Sequence, residues 1–168
     1  MALLSRTSVK LTSGQSNELM PGDVALGRSG DAMKTLLGSC IAVILTDPRR
    51  TVGAMCHIVH VGFQNAATAG NTAYGLSAMR EMFDLLTAEG VMPSLCHAYV
   101  YGGGNMFPHL YTTRTVGDRN AEWVLEFLQQ QGITVVQSSV GGPNYRKVSW
   151  TIGPGAPDIE TVLVTEGA

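Results

Sequence analysis

The sequence has 168 residues, of which 45% are hydrophobic and 14% are charged, and its formal net charge is −2. Such a chain is long enough to bury one core, and its charge balance excludes the basic surface typical of nucleic-acid binding. No apolar run is long enough to cross a bilayer and residues 1–10 lack the core of a signal peptide, so we expect a cytoplasmic protein that does not insert into membranes.

The first half of the chain predicts a tail followed by strands. Residues 1–20 are rich in Ser, Thr, Asn and Gln without a sustained hydrophobic period, so we expect a flexible tail before a single domain over residues 21–168. The apolar runs that follow predict strands at residues 23–27, 40–46 and 51–59. Asp47-Pro48-Arg49-Arg50 is typical of the turn that joins the two strands of a hairpin.

The second half predicts two helices separated by strands. Residues 74–89 have the period of an amphipathic helix that ends at Gly90, and a second helix begins at Asp118 and ends at Gly132. The side chains predicted to form their buried faces are Met79, Met82, Phe83, Leu86, Trp123, Phe127 and Leu128. The remaining strands are predicted at residues 95–101, 133–140, 146–152 and 161–164.

This order of elements predicts an α/β fold, a layered α/β sandwich of mixed strands with two main helices and at least one hairpin. The alternative is an α+β arrangement in which both helices lie on one face of the sheet.

The hairpin suggests a catalytic pair. A two- or four-residue turn places Cys40 directly opposite His57, and opposed residues of an antiparallel pair have Cβ atoms about 4.5–5.5 Å apart on the same side. An adjacent imidazole activates a thiol as a nucleophile. A turn of three or five residues would place Cys40 opposite Cys56 or Ile58 instead. Without a catalytic role, Cys40 would be a small buried hydrophobic residue, the common fate of free cysteines.

A metal site is the main rival from another class. Cys56, His57 and His60, with Cys96 and His97 further along, are ligand types that zinc accepts. Adjacent residues of a strand point to opposite faces, however, so a closed four-ligand site is awkward to build from them. We therefore assign Cys56 and Cys96 to the core and expect no metal or other cofactor.

Several short motifs are more specific than the composition. Residues 35–43 read Thr-Leu-Leu-Gly-Ser-Cys-Ile-Ala-Val, and residues 53–57 read Gly-Ala-Met-Cys-His. The motifs that follow are Gly102-Gly103-Gly104-Asn105, Gly117-Asp118-Arg119-Asn120 and Arg146-Lys147-Val148. In this order and spacing, from about residue 33 to residue 153, the chain resembles the chemoreceptor glutamine deamidase family, CheD.

The resemblance implies an activity and its residues. Family members hydrolyse selected glutamine side-chain amides on the cytoplasmic methylation helices of chemoreceptors to glutamate and ammonia. The family's catalytic cysteine corresponds to Cys40 and its histidine to His57, and Thr35 is the nearest match to a third catalytic residue, a threonine. The resemblance also implies a CheC-type phosphatase as a partner, and an α/β sandwich like the catalytic domain of glutamine-deamidating bacterial toxins.

Hydrolysis through a cysteine thioester also needs hydrogen-bond donors for the oxyanion. Gly38 and Ser39 form a turn before Cys40, and its backbone amides are candidates, together with a loop that contains Gly103, Gly104 and Asn105. No Lys-Ser/Thr follows these glycines, so they are not a P-loop. A glutamyl methyl ester would form the same thioester, which makes methylesterase activity compatible with the site. The alternative function is a non-enzymatic module that binds a CheC-type phosphatase or a receptor.

Overall fold

A computed structural model describes residues 8–12 and 15–165, which form an α/β fold with two sheets and two helices. The ten strands are β1 (Ser8–Lys10), β2 (Ser16–Glu18), β3 (Val24–Arg28), β4 (Ala32–Leu37), β5 (Ile41–Thr46), β6 (Val52–Ile58), β7 (His97–Gly102), β8 (Thr134–Val140), β9 (Asn144–Thr151) and β10 (Asp158–Leu163). Six strands form one mixed sheet in the order β1-β3-β6-β5-β7-β8, and four form the other in the order β10-β9-β4-β2.

The two helices, α1 (Gly75–Ala88) and α2 (Val116–Gln130), confirm the helices predicted from the sequence. The second begins earlier than predicted because its N-cap is Thr115. The Thr115 hydroxyl accepts from the Asp118 amide and the Asp118 carboxylate accepts from the Thr115 amide, both at 3.1 Å, which is a capping box. Within the described ranges, no helix is long and apolar enough to cross a membrane.

Both helices pack on one face of the six-stranded sheet, which is the placement that the α+β alternative described. The core on that face includes Val43, Cys56, Met79, Cys96, Val124 and Leu128. The opposite face packs against the four-stranded sheet through a second core that includes Met33, Leu37, Ile44, Met55, Tyr101 and Trp150. Because β5 is covered on both faces, all six of its residues are buried, and its sequence is a continuous apolar run.

The N-terminal strands correct part of the predicted tail. The strand β1 pairs in parallel with β3, and β2 pairs in parallel with β4, so residues 8–10 and 16–18 belong to the sheets. Residues 1–7 and 13–14 lie outside the described residues. Each of these strands has only three residues, too few to produce a hydrophobic period that sequence analysis can detect.

The strand β4 is absent from the sequence prediction although its residues alternate clearly. Met33, Thr35 and Leu37 are buried between the two sheets, whereas Lys34 and Leu36 on the other face are exposed. Thr35 is therefore a hydroxyl in a row of buried apolar side chains. A buried polar group needs a hydrogen-bond partner, so its position points to a specific contact across the inter-sheet space.

Candidate active site

The hairpin formed by β5 and β6 has a different register from the predicted one. Ala42, not Cys40, lies opposite His57, so the prediction of direct opposition was wrong. The shift is two residues along the strand, and because side chains alternate with a period of two, it leaves Cys40 on the same face as His57. The diagonal neighbours of an antiparallel pair are about 7–8 Å apart, within reach of long side chains.

The register differs because the connection between β5 and β6 is longer than a tight turn. Thr46 pairs with Gly53, and Asp47 organises the residues between them. The Asp47 carboxylate accepts hydrogen bonds from the amides of Thr51 at 2.7 Å and Val52 at 3.0 Å. A side chain that binds backbone amides four and five residues further on widens the loop, which the turn rules for Pro48 do not anticipate.

Cys40 lies in the space between the two sheets, just before β5 begins. It is half-buried and packs against the inter-sheet core, as His57 does from β6. Within the described part of the chain, no hydrogen bond joins the Cys40 thiol to His57. Catalytic hydrogen bonds are often long in the free enzyme and shorten when substrate binds.

The His57 imidazole is held by a chain of hydrogen bonds from β4. Its Nδ1 lies 2.8 Å from Thr35 Oγ1, and Thr35 Oγ1 lies 2.8 Å from the Leu19 carbonyl oxygen. A carbonyl oxygen only accepts, so the hydroxyl proton goes to Leu19 and Nδ1–H donates to Thr35. We infer that the Nε2 atom of His57 carries the lone pair and is free to act as a base.

Burial favours the neutral forms of both Cys40 and His57 in the free protein. Burial lowers the pKa of His57 below its ordinary value of 6.5, although the Leu19 carbonyl and the Asp23 charge act in the opposite direction. Burial also raises the pKa of the Cys40 thiol. Because desolvation disfavours the charged form of each group, the resting pair is a thiol beside a neutral imidazole rather than an ion pair.

We expect Thr35→Val to lower kcat by roughly tenfold or more, because it keeps the side-chain shape but leaves Nδ1–H of His57 without its acceptor and frees the ring tautomer. The matched control is Thr35→Ser, which retains the hydroxyl and should retain most of the activity. The measurement is the initial rate, at saturating substrate, of the glutamine hydrolysis that the family resemblance implies. Equal rates for the Val and Ser variants would contradict a role for this hydrogen bond.

The loop of residues 102–105 holds the Cys40 turn (residues 38–40) in place. The Gly103 amide donates to the Cys40 carbonyl at 2.9 Å, and the Gly104 amide donates to the Gly38 carbonyl at 2.9 Å. The Asn105 amide donates to the Gly142 carbonyl at 2.8 Å. All three amides therefore already have backbone acceptors in this structure.

The amides of Ser39 and Cys40 are the remaining oxyanion candidates. Neither makes a hydrogen bond to another described residue. Two adjacent backbone N–H groups beside a candidate nucleophile are the kind of donors that stabilise a tetrahedral intermediate.

A cavity of about 430 Å³ opens beside Ser39. Its lining residues are Ser39, Gly104, Asn105, Met106, Phe107, Tyr111, Arg114, Thr115, Val116, Gly117 and Arg119. Phe107, Tyr111 and Val116 are each more than half exposed, so the rim of the cavity is apolar and open to solvent. Such a rim suits a substrate presented on the surface of another protein rather than a small buried ligand.

Two buried polar side chains near the Cys40 turn were not identified as such from the sequence. Arg146 is buried and donates to the carbonyls of Gly102 at 3.3 Å and Gly141 at 2.8 Å. Asn120, near the start of α2, is also buried. The alternation of β9, in which Arg146 shares a face with buried Val148 and Trp150, is the signal that identifies the first of them.

The cysteines and histidines of the proposed metal site lie in different parts of the structure. Cys56 and Cys96 are buried in the core beneath the helices, which confirms their assignment, and His57 points to the inter-sheet side. His60 is exposed and lies against the Tyr74 ring. Among the residues that the structure describes, no three His, Cys, Asp or Glu side chains are close enough together to hold a metal ion.

A family model and curated relatives match this chain. The model, described as CheD chemotactic sensory transduction, matches residues 60–161, a segment that begins just after His57. A relative from Methanococcus maripaludis, named probable chemoreceptor glutamine deamidase CheD, is 31% identical over 147 residues, which cover 88% of this chain and 92% of the relative.

Two further relatives carry the same name. The one from Rhizobium rhizogenes is 37% identical over 120 residues, which cover 70% of this chain and 64% of that relative, less than two thirds of its length. The one from Jannaschia sp. is 28% identical over 155 residues, which cover 92% of this chain and 86% of that relative.

Two solved structures match this chain with low sequence identity and low TM-scores. Protein YfiH of Bacillus licheniformis has a TM-score of 0.45 at 14% identity, and the match covers 79% of this chain and 62% of that one. Protein NMB0706 of Neisseria meningitidis has a TM-score of 0.44 at 12% identity, with 79% and 65% covered. A likeness at this level carries no inference about function.

Proposed function

This chain belongs to the CheD family, and we propose that it hydrolyses glutamine side-chain amides of chemoreceptors to glutamate, with Cys40 as the nucleophile. The observation that carries the proposal is the placement of Cys40 and His57 on one face of the hairpin, with His57 fixed by Thr35. In this proposal the catalytic residues are Cys40, His57 and Thr35, and they belong to a single catalytic domain that also includes the N-terminal strands β1 and β2.

The reaction proceeds through a thioester. Nε2 of His57 takes the thiol proton as the Cys40 sulfur attacks the amide carbon, and the tetrahedral intermediate carries the negative charge on the former carbonyl oxygen. His57 then gives that proton to the departing amine, which leaves as ammonia. Water, deprotonated by His57, attacks the thioester and releases glutamate and the free thiol.

The oxyanion is stabilised by the amides of Ser39 and Cys40, whose hydrogens are not used within the described protein. One donor of this kind contributes about 2.7–4 kcal/mol to lowering the barrier. Met106 packs against Gly38, and the amides of Gly103 and Gly104 hold the turn through the carbonyls of Cys40 and Gly38. The cavity beside Ser39 is the entrance for the glutamine side chain.

The same site accounts for the remaining parts of the proposal. A glutamyl methyl ester presents the same acyl carbon to Cys40 with methanol as the leaving group, so methylesterase activity accompanies deamidation. In this proposal the substrate helices are those on the cytoplasmic side of the receptor, and the protein acts in the cytoplasm. A CheC-type phosphatase as regulator, and a fold like that of deamidating toxin domains, are implied by the family resemblance.

The activity should depend on pH through His57. Because a protonated imidazole cannot accept the thiol proton, we expect kcat/KM to fall as the pH drops through the pKa of His57. That pKa lies below 6.5 because the ring is buried, so activity should be at its plateau at pH 7 and persist into mildly acidic solution. The measurement is kcat/KM between pH 5 and 8 with a receptor fragment. If kcat/KM already falls at a pH above 6.5 as the solution is acidified, the assignment of His57 as the base would be contradicted.

The test of the proposed function is incubation of the full chain with a chemoreceptor cytoplasmic fragment, followed by intact mass measurement of the fragment. Each hydrolysed amide should add about 1 Da, since an amide becomes an acid. Peptide mapping then identifies the converted glutamines. Absence of any mass change with fragments that bind the protein would favour the alternative function, a binding module for a receptor or a CheC-type phosphatase.

A further inference from the structure

The side-chain amide of Asn120 connects the two segments that carry Cys40 and His57. Its Nδ2 donates to the Ser39 carbonyl at 3.0 Å and to the Val59 carbonyl at 3.2 Å. Ser39 immediately precedes Cys40, and Val59 follows His57 by two residues. Because both partners are carbonyl oxygens, only the NH2 end of the amide can face them, so the orientation of the side chain is determined.

Few side chains could replace this amide. Asn120 is 2% exposed, so water does not compete for its hydrogen bonds. The two acceptors require two donors on a single atom, which the NH2 group supplies. A carboxylate at this position would face two carbonyl oxygens without a proton to share, and an alanine would leave both carbonyls without this donor.

The first turn of α2 also supports the Cys40 turn, through the loop of residues 102–105 that lies between them. Gly117 is buried, and a Cβ there would collide with the carbonyl oxygens of Gly103 and Gly104, so the helix backbone lies directly against that loop. The amides of the same two glycines hold the carbonyls of Cys40 and Gly38. The capping box at Thr115 fixes where α2 begins, and therefore where Asn120 lies.

We propose that Asn120 is a positioning residue that sets the distance between the Cys40 thiol and the His57 imidazole. The inference rests on the proposed function, because it concerns the alignment of the same two groups. No hydrogen bond between Cys40 and His57 fixes them in the free protein, so their spacing depends on the main chains that carry them. Asn120 joins those main chains across 81 and 61 residues of sequence.

The test is Asn120→Asp, which keeps the shape and removes both donors. A misplacement of about 1 Å can cost about 100-fold in rate, so we expect a fall in kcat of that order with KM close to the wild-type value. The matched control is Gln129→Glu, the same amide-to-acid change on an exposed position of α2, which should leave kcat unchanged. If Asn120→Asp does not fold, Asn120→Ser, which keeps one donor, takes its place.

The second readout is independent of glutamine chemistry: the rate at which iodoacetamide alkylates Cys40 as a function of pH. If Asn120 had only a structural role, its replacement would lower the stability of the protein. The pH profile of Cys40 alkylation would then stay unchanged at temperatures well below unfolding. We expect the variant to lose the reactivity near pH 7 that His57 provides. A folded variant with wild-type kcat and profile would overturn the inference, as would a loss confined to KM. If the wild-type chain converts no receptor fragment, the proposed function fails, and the alkylation profile still decides whether Asn120 aligns the pair.

Discussion

Replacing Cys40 with Ala is expected to reduce conversion of receptor glutamine to the uncatalysed background, a loss of more than about 10³-fold. Without the sulfur no thioester forms, and neither His57 nor the amides of Ser39 and Cys40 supply a nucleophile. The measurement is the intact mass of a receptor fragment over time. Because Cys40 is a half-buried small side chain, the variant should fold and still bind the fragment.

The matched control for this prediction is Cys96→Ala. That thiol is buried in the core beneath the helices, where burial raises its pKa to about 11, and it lies outside the site. The control should convert glutamine at the wild-type rate. Conversion by folded Cys40→Ala at a rate near that of the control would show that another residue is the nucleophile.

Replacing His57 with Asn is expected to lower kcat by about 10²- to 10⁴-fold, the usual contribution of a general base. Asn retains a donor near the position of Nδ1 and so keeps the bond to Thr35, but it has no equivalent of Nε2. The variant therefore removes the base while leaving the hydrogen bonds to β4 intact.

The control for this change is His60→Gln, an exposed histidine three positions along the chain, which should leave kcat unaltered. The measurement is kcat at the pH plateau together with the melting temperature of each variant. A folded His57→Asn variant with kcat within a few-fold of the wild type would exclude His57 as the base.

Helices and strands of this fold could be predicted where their apolar residues recur at a regular spacing. The register in which the strands pair could not be predicted in this way. The helices α1 and α2 and the buried strand β5 have clear apolar patterns, and the structure confirms them. The hairpin register depended on a single contact, the Asp47 carboxylate on the amides of Thr51 and Val52. An alternating pattern determines which face of the sheet a side chain lies on, but not the register of the strand pair. The two-residue error in register therefore left Cys40 and His57 on the same face.

The sequence suggests candidate reacting groups for the site but not the side chains that support them. Cys40 and His57 are proposed from their residue types and from the hairpin, and Thr35 only from the family resemblance. Asn120 and Arg146 hold backbone carbonyls that are distant in sequence, and no local pattern shows which carbonyls a side chain will reach. The glycine loop was placed correctly near Cys40, but only its hydrogen bonds show that its amides are already occupied.

The pH profile of Cys40 alkylation shows whether the His57 imidazole takes the proton of the Cys40 thiol. Burial raises the pKa of Cys56 to about 12 and that of Cys96 to about 11, so iodoacetamide should label Cys40 alone in the folded protein. We expect the wild-type rate to rise with pH through an inflection below 6.5, at the pKa of His57. His57→Asn should lose this inflection and react only as the pH approaches the pKa of the thiol, which burial raises. Superimposable profiles for the two proteins would show that His57 does not take this proton.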